Sequence, residues 1–241
     1  MLLFLFEFMA FAAEEAEASF TLTHIWDSSG AIARTVIVIL CLMLSASAIV
    51  TIERLIAFGR ARRQSMRLAA EIVGPLQKGD IAGALKLAKD DQFKAAYLGS
   101  LLSVGLQELD LRMDRFGVTN AHRAIEKAHA EEATKLKRGM TILATTGSTA
   151  PFVGLFGTTF GVINAFQGMA TAGSGLASIS AGISEALITT GVGIGVAVLG
   201  VWAFNYFNSR TEKVLDELSS SESDFMDWAE KQLQNQSAAA K

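Results

Sequence analysis

Cysteine, proline and histidine are scarce in this chain of 241 residues, with one, two and three copies, and charge is missing from long stretches of it. The single Cys41 excludes a disulfide framework or a cysteine-based metal site within one chain, and its place in an apolar run reads as a small buried hydrophobe. No phosphate-binding loop with its lysine is present, so nucleotide hydrolysis has no support. No compact basic patch with interleaved aromatics occurs, which leaves nucleic-acid binding without a footprint. Charged residues make up 19% of the chain against 51% hydrophobic, and this apolar excess is clustered, which argues against a soluble α/β enzyme.

The clustering is the first positive signal. Thr35 to Ile52 is charge-free, and between Arg138 and Arg210 the only charge is Glu185. About 20 apolar residues suffice to cross a hydrocarbon core as a helix, so the first run is one span and the second is too long for one. Ala172-Gly173-Ser174-Gly175 breaks the second run near its middle. The expected fold is an all-α membrane protein with three spans, near 32–53, 140–170 and 178–206. The parts are a segment 1–31, the first span 32–53, a helical region 54–139, the paired spans 140–206 and a helical tail 207–241.

Of the 21 basic residues, 16 lie between Arg54 and Arg138, four lie in the tail, and the first 33 positions have none. Basic loops stay cytoplasmic, so the N-terminus is expected outside and the C-terminus inside. Met1 to Ala13 is apolar except for Glu7 and lacks the positive start of a signal peptide, which favours an uncleaved amphipathic segment at the outer membrane surface.

The region 54–139 reads as helical throughout. Gly74-Pro75 and Gly79-Asp80 punctuate it, Gly117 ends a segment from about Phe93, and Thr119 is the expected N-cap of a helix that continues as one rod into the second span. In the tail, Val214, Leu215, Leu218, Phe225, Trp228, Ala229 and Leu233 form an apolar stripe that needs a partner helix, from its own loop or a neighbouring subunit.

Glu185 is the residue most in need of explanation. A charge at bilayer depth costs about 3 kcal/mol on insertion scales, and no Lys, Arg or His of this chain lies at a similar depth. Either it stays protonated and bonds a neighbouring helix, or its partner is water or another subunit, as ion transfer would require. On a helical projection Gly182, Ala186, Thr189, Gly193 and Gly200 form a small-residue stripe flanked by Glu185 and Thr190. Such stripes pack helices closely, and Gly191 and Gly195 offer a second contact.

In the second span Gly147, Gly154, Gly161 and Gly168 recur every seven residues, a packing seam. Thr141, Thr145, Ser148, Thr149, Thr158, Thr159 and Asn164 add polar groups that either bond their own backbone or line a hydrated path. Pro151 removes a backbone donor and is expected to kink the helix.

Gly147-Ser148-Thr149-Ala150-Pro151-Phe152-Val153-Gly154-Leu155-Phe156-Gly157-Thr158, with Gly182-Ile183-Ser184-Glu185-Ala186-Leu187-Ile188-Thr189-Thr190, closely resembles the ExbB/TolQ/MotA family of proton-channel subunits. The likeness covers about residues 139–208, and its opening Gly-Ser-Thr is nearer to ExbB than to TolQ. Phe160 stands where a tryptophan is common, and 197–201 lacks a proline that many relatives have. The resemblance implies an inner-membrane pentamer, surrounded by lipid, around a dimer of a single-span ExbD- or TolR-like protein whose aspartate carries the proton. It implies a TonB-like protein downstream and no cofactor or metal. Thr158, Glu185 and Thr190 match the family's channel positions. Thr145, Ser148 and Thr189 are further candidates for lining the path, by their hydroxyls and not by the resemblance.

Two other classes stay open. His122 with Glu126 and His129 resembles half of a helical carboxylate metal site, without further ligands spaced to complete it. A passive scaffold would tolerate Glu185→Gln, whereas a channel would assemble and fail to transduce.

Overall fold

The computed structural model describes residues 30–172 and 176–239, and over them the chain is helical apart from short connections. The elements are α1 (Ala31–Gln77), α2 (Ile81–Ala88), a 3-10 turn at Asp91–Phe93, α3 (Tyr97–Leu111), α4 (Arg115–Leu136), α5 (Met140–Ala172) and α6 (Leu176–Ala239). Three of them, α1, α5 and α6, are long and apolar enough to cross a membrane. The expected surface segment at the N-terminus and the hairpin residues 173–175 lie outside the described residues, although α5 and α6 end on either side of that hairpin.

The limits expected for the membrane spans at 53 and 206 fall inside helices, as α1 runs on to Gln77 and α6 is a single helix of 64 residues. Some expected helix ends move. Helix α1 also carries through Gly74-Pro75, with Pro75 removing one backbone donor two residues before the helix ends. Its stop comes at Gly79, whose φ of 70° is left-handed and suits a residue without a Cβ. The expected rod from α4 into α5 is broken at residues 137–139, where Gly139 takes a φ of 76°. The start of α4 differs as well. Asp114 is the N-cap, accepting from the Gly117 N–H at 2.8 Å, so Gly117 lies in the first turn rather than at a helix end. That bond, followed by the Arg112 guanidinium, holds the Asp114 carboxyl below the usual carboxylate range. The Thr119 hydroxyl bonds the carbonyl of Arg115 one turn back instead of capping.

The described chain divides into two compact units, one within 1–47 and 144–201 and the other within 48–143 and 202–241. The second unit has a leucine-rich core, with Leu68 and Ile72 of α1, Leu101, Leu106 and Leu109 of α3, Ile125 of α4, and Leu218 and Phe225 of α6 all buried. Full burial of each such side chain stabilises by about 1.5–3 kcal/mol. The tail stripe therefore finds its partners in its own chain, and Trp228 Nε1 adds a hydrogen bond of 3.1 Å to the Leu76 carbonyl. Tyr97 donates its hydroxyl to Glu217 at 2.8 Å in the same unit.

The first unit is built differently. Its buried cluster is small, Val36 and Leu40 of α1 with Ala150, Val196 and Ala197, while Leu42, Phe152, Leu155 and Leu187 are exposed. Large apolar side chains turned outward are expected of helices whose surroundings are lipid or other apolar helices.

Candidate functional site

The site lies where α5 and α6 approach most closely. A Cβ on Gly154 would come within 2.8 Å of the Thr189 carbonyl oxygen and 3.1 Å of the Thr190 Cα. One on Gly193 would meet the Ala150 carbonyl oxygen at 2.8 Å, so the two backbones touch through their glycines. Gly147 lies against Val201 and Gly161 against Ala186, which extends the contact in both directions. At Gly168 a Cβ would meet nothing within 4 Å among the described residues, and it is Ala165 that packs against Gly182. The reason is rotational: a seven-residue repeat drifts about 20° per heptad on a straight helix, whereas Ala165 is five full turns from Gly147 and faces the same way. Gly191 and Gly195 have open space around them and make no such contact. The helix is assigned unbroken across Pro151.

Several hydroxyls on α1 and α5 bond their own backbone. Thr35, Ser45, Thr149 and Thr159 each reach the carbonyl four residues back, and Ser148 bonds that of Thr145. Thr145 and Ser148 are exposed, and Thr189 is fully buried, bonding the Ala186 carbonyl at 2.7 Å. Thr189 thus belongs to the packed seam between α5 and α6 and not to an open face.

Thr158 behaves otherwise. Its hydroxyl contacts the Gly154 carbonyl of its own helix and the Ala186 carbonyl of α6, both at 3.2 Å, and it meets the Thr190 hydroxyl directly. Thr190 in turn reaches the Gly154 carbonyl at 3.2 Å. Two threonines 32 positions apart therefore share one half-buried polar cluster across the helix pair.

Of the partners expected for Glu185, a neighbouring helix, water or another subunit, the structure shows one from its own chain. Its Oε1 accepts from the Gly30 backbone N–H at 2.9 Å, at the start of α1. The first amides of a helix are unsatisfied and carry partial positive charge, so they favour a carboxylate placed against them. Among the described residues no hydrogen bond joins Glu185 to the threonine pair.

Sequence reading missed a second inter-helix bond, Ser47 to Thr146 at 2.9 Å, buried between α1 and α5. It also missed Gly157, where a Cβ would meet both the Thr189 hydroxyl and Val36 of α1. Neither position stands out by spacing, although both are small or hydroxylated residues in an apolar run. Away from these helices, His129 of the suspected metal half-site lies 3.2 Å from Glu222. No three metal-ligating side chains converge among the described residues.

A closely packed helix pair in a membrane-type chain, with a shared threonine cluster and one acid, defines the class. The MotA/TolQ/ExbB proton channel family matches residues 94–220, more than half of the chain, and the chain belongs to it. Among individual relatives, the Tol-Pal system protein TolQ of Pseudomonas aeruginosa is 45% identical over 94 residues, 39% of this chain and 41% of that protein. The biopolymer transport protein ExbB of Xanthomonas campestris is 42% identical over 107 residues, 44% of this chain and 42% of its own. That of Neisseria gonorrhoeae is 37% identical over 95 residues, 39% of this chain and 43% of its own. The matched segments span less than half the length of these relatives.

Proposed function

We propose that this chain is the proton-conducting stator subunit of an inner-membrane motor, with its N-terminus periplasmic, that turns proton-motive force into work on an envelope partner. The observation that carries this reading is the direct meeting of the Thr158 and Thr190 hydroxyls across α5 and α6, in a chain of this family. Hydroxyls both donate and accept, so a threonine pair can pass a proton along a hydrogen-bonded path without becoming charged. Glu185, poised on the Gly30 amide, serves as the exchangeable site beside that path.

Five copies around a single-span ExbD- or TolR-like dimer would place the partner's aspartate against the threonine cluster. Each elementary charge crossing 100 mV releases about 2.3 kcal/mol, enough to bias stepwise movement of partner within ring. A rigid ring suits that task, and the close α5–α6 packing at Gly147, Gly154, Gly161 and Gly193 within each copy supports it. The Gly147-Ser148-Thr149 opening favours ExbB-like energisation of outer-membrane transport through a TonB-like protein. A second reading, TolQ-like envelope maintenance, is favoured by the 45% identity to TolQ.

The test is proton flux into liposomes holding this protein and its single-span partner. Wild type should conduct, and Glu185→Gln should assemble normally and lose flux. If that complex is gated shut, the same comparison is read in cells as restored transport. Unchanged flux and unchanged cell function in an intact variant would remove Glu185 from the path. Rescue of a strain lacking ExbB, but not one lacking TolQ, would select the first task over the second.

A further inference from the structure

Apart from the channel helices' contacts, the unit containing α2, α3 and α4 has a cleft of about 510 Å³, bordered by α1, α4 and the turn before α3. Arg54 lies at its base with its side chain only 8% exposed. One of its terminal nitrogens donates to the Lys135 carbonyl at 3.1 Å and the other to Glu53 at 2.7 Å. Its Nε is buried and has no protein acceptor, the only side-chain nitrogen or oxygen so placed among the described residues. A buried donor on a permanently charged group calls for an acceptor.

The charges around it point to what that acceptor is. The lining contains five basic residues and two acids, and both acids are already engaged, Glu53 by Arg54 and Glu132 by Lys135 at 2.7 Å. Arg60, Lys94 and Arg138 on the exposed rim form no ion pair among the described residues. Three unneutralised cations above a free guanidinium donor exceed what one carboxylate would satisfy. A phosphate group offers several charged oxygens and suits arginine geometry.

We propose that this cleft binds a phosphate-bearing anion, with a phosphate oxygen accepting from Arg54 Nε and with Arg60, Lys94 and Arg138 balancing its charge. Arg54 lies two residues after the charge-free run 35–52, and Arg138 immediately before the long run whose only charge is Glu185. Basic residues beside span ends are where anionic headgroups gather, so a phospholipid is one source of the phosphate and soluble phosphate the other.

Native mass spectrometry of the full-length assembly, purified in phosphate-free detergent, tests this with phosphatidylglycerol, phosphatidylcholine or inorganic phosphate added. Retention of phosphatidylglycerol over phosphatidylcholine assigns the lipid source, and thermal stabilisation by inorganic phosphate alone assigns the soluble one. Lys94→Ala and Arg60→Ala, both at exposed positions, should each weaken the effect about fivefold while helix content and oligomer size stay unchanged. Equal retention of both lipids with no effect of phosphate overturns the proposal, as does binding that ignores both variants. So does loss of the oligomer in both variants with lipid and phosphate binding unchanged, since the basic rim would then serve contact between copies and not the anion.

Discussion

At Gly105 in α3, an added Cβ would run into the tips of Ile125 and Phe225, at 2.6 and 2.8 Å, whereas at Gly154 in α5 it would run into a carbonyl oxygen and two Cα atoms. The first contact is side chain on side chain in an interdigitated core. The second is backbone on backbone. A water-facing bundle gains stability by burying leucine and phenylalanine, which lipid-facing helices cannot do, because lipid tails are as apolar as any side chain. The channel helices instead rely on close approach, many small dispersion contacts and hydroxyls bonded across the gap.

The contrast can be broken at its strongest point by Gly154→Ala. Helix backbones cannot yield as side-chain tips can, so this change should cost more than about 3 kcal/mol and abolish assembly, read as loss of the oligomer on size-exclusion chromatography. Gly105→Ala should cost about 1–3 kcal/mol, with Ile125 and Phe225 shifting to make room, and thermal unfolding should show a lowered midpoint with assembly retained. If the two changes prove equal, the proposed difference between the units fails.

A pH test sharpens the comparison within the leucine-rich unit. Burial, reinforced by the hydrogen bond to Glu217, pushes the Tyr97 pKa up to about 12, from the ordinary value of about 10. The folded form thus holds the proton more tightly than the unfolded form. This contribution is complete below about pH 10 and disappears as pH rises through about 12. Wild type should be more stable than Tyr97→Phe at neutral pH, and the gap should close across that window in an alkaline denaturation series. The smallest effect belongs to Gly191→Ala, where open space allows a methyl group, with an expected change within about 0.5 kcal/mol for the chain itself. A larger loss, confined to the oligomer, would locate a neighbouring copy on that face.

Legibility in the sequence follows the same division. The three apolar helices, the seam of Gly147, Gly154 and Gly161, and the apolar tail stripe were readable because each is a periodic pattern of side chains. Gly168 was misread because period seven and the true helical period diverge over three repeats. The α4–α5 break was signalled by a glycine just after Lys137 and Arg138, a common way to end a helix, but the surrounding charge spacing masked it. The partner of Glu185 was not readable at all. It is a backbone amide, present at every residue but proline, and only the fold decides which one lies within reach.

That amide makes the start of α1 a reporter on occupancy at Glu185. An ionised carboxylate accepts a hydrogen bond more strongly than a carboxylic acid does, so any proton that arrives at Glu185 loosens its grip on Gly30. Proton arrival and fraying of the first turn become two faces of one event. Solvent exchange at that single glycine amide would then report the protonation of Glu185.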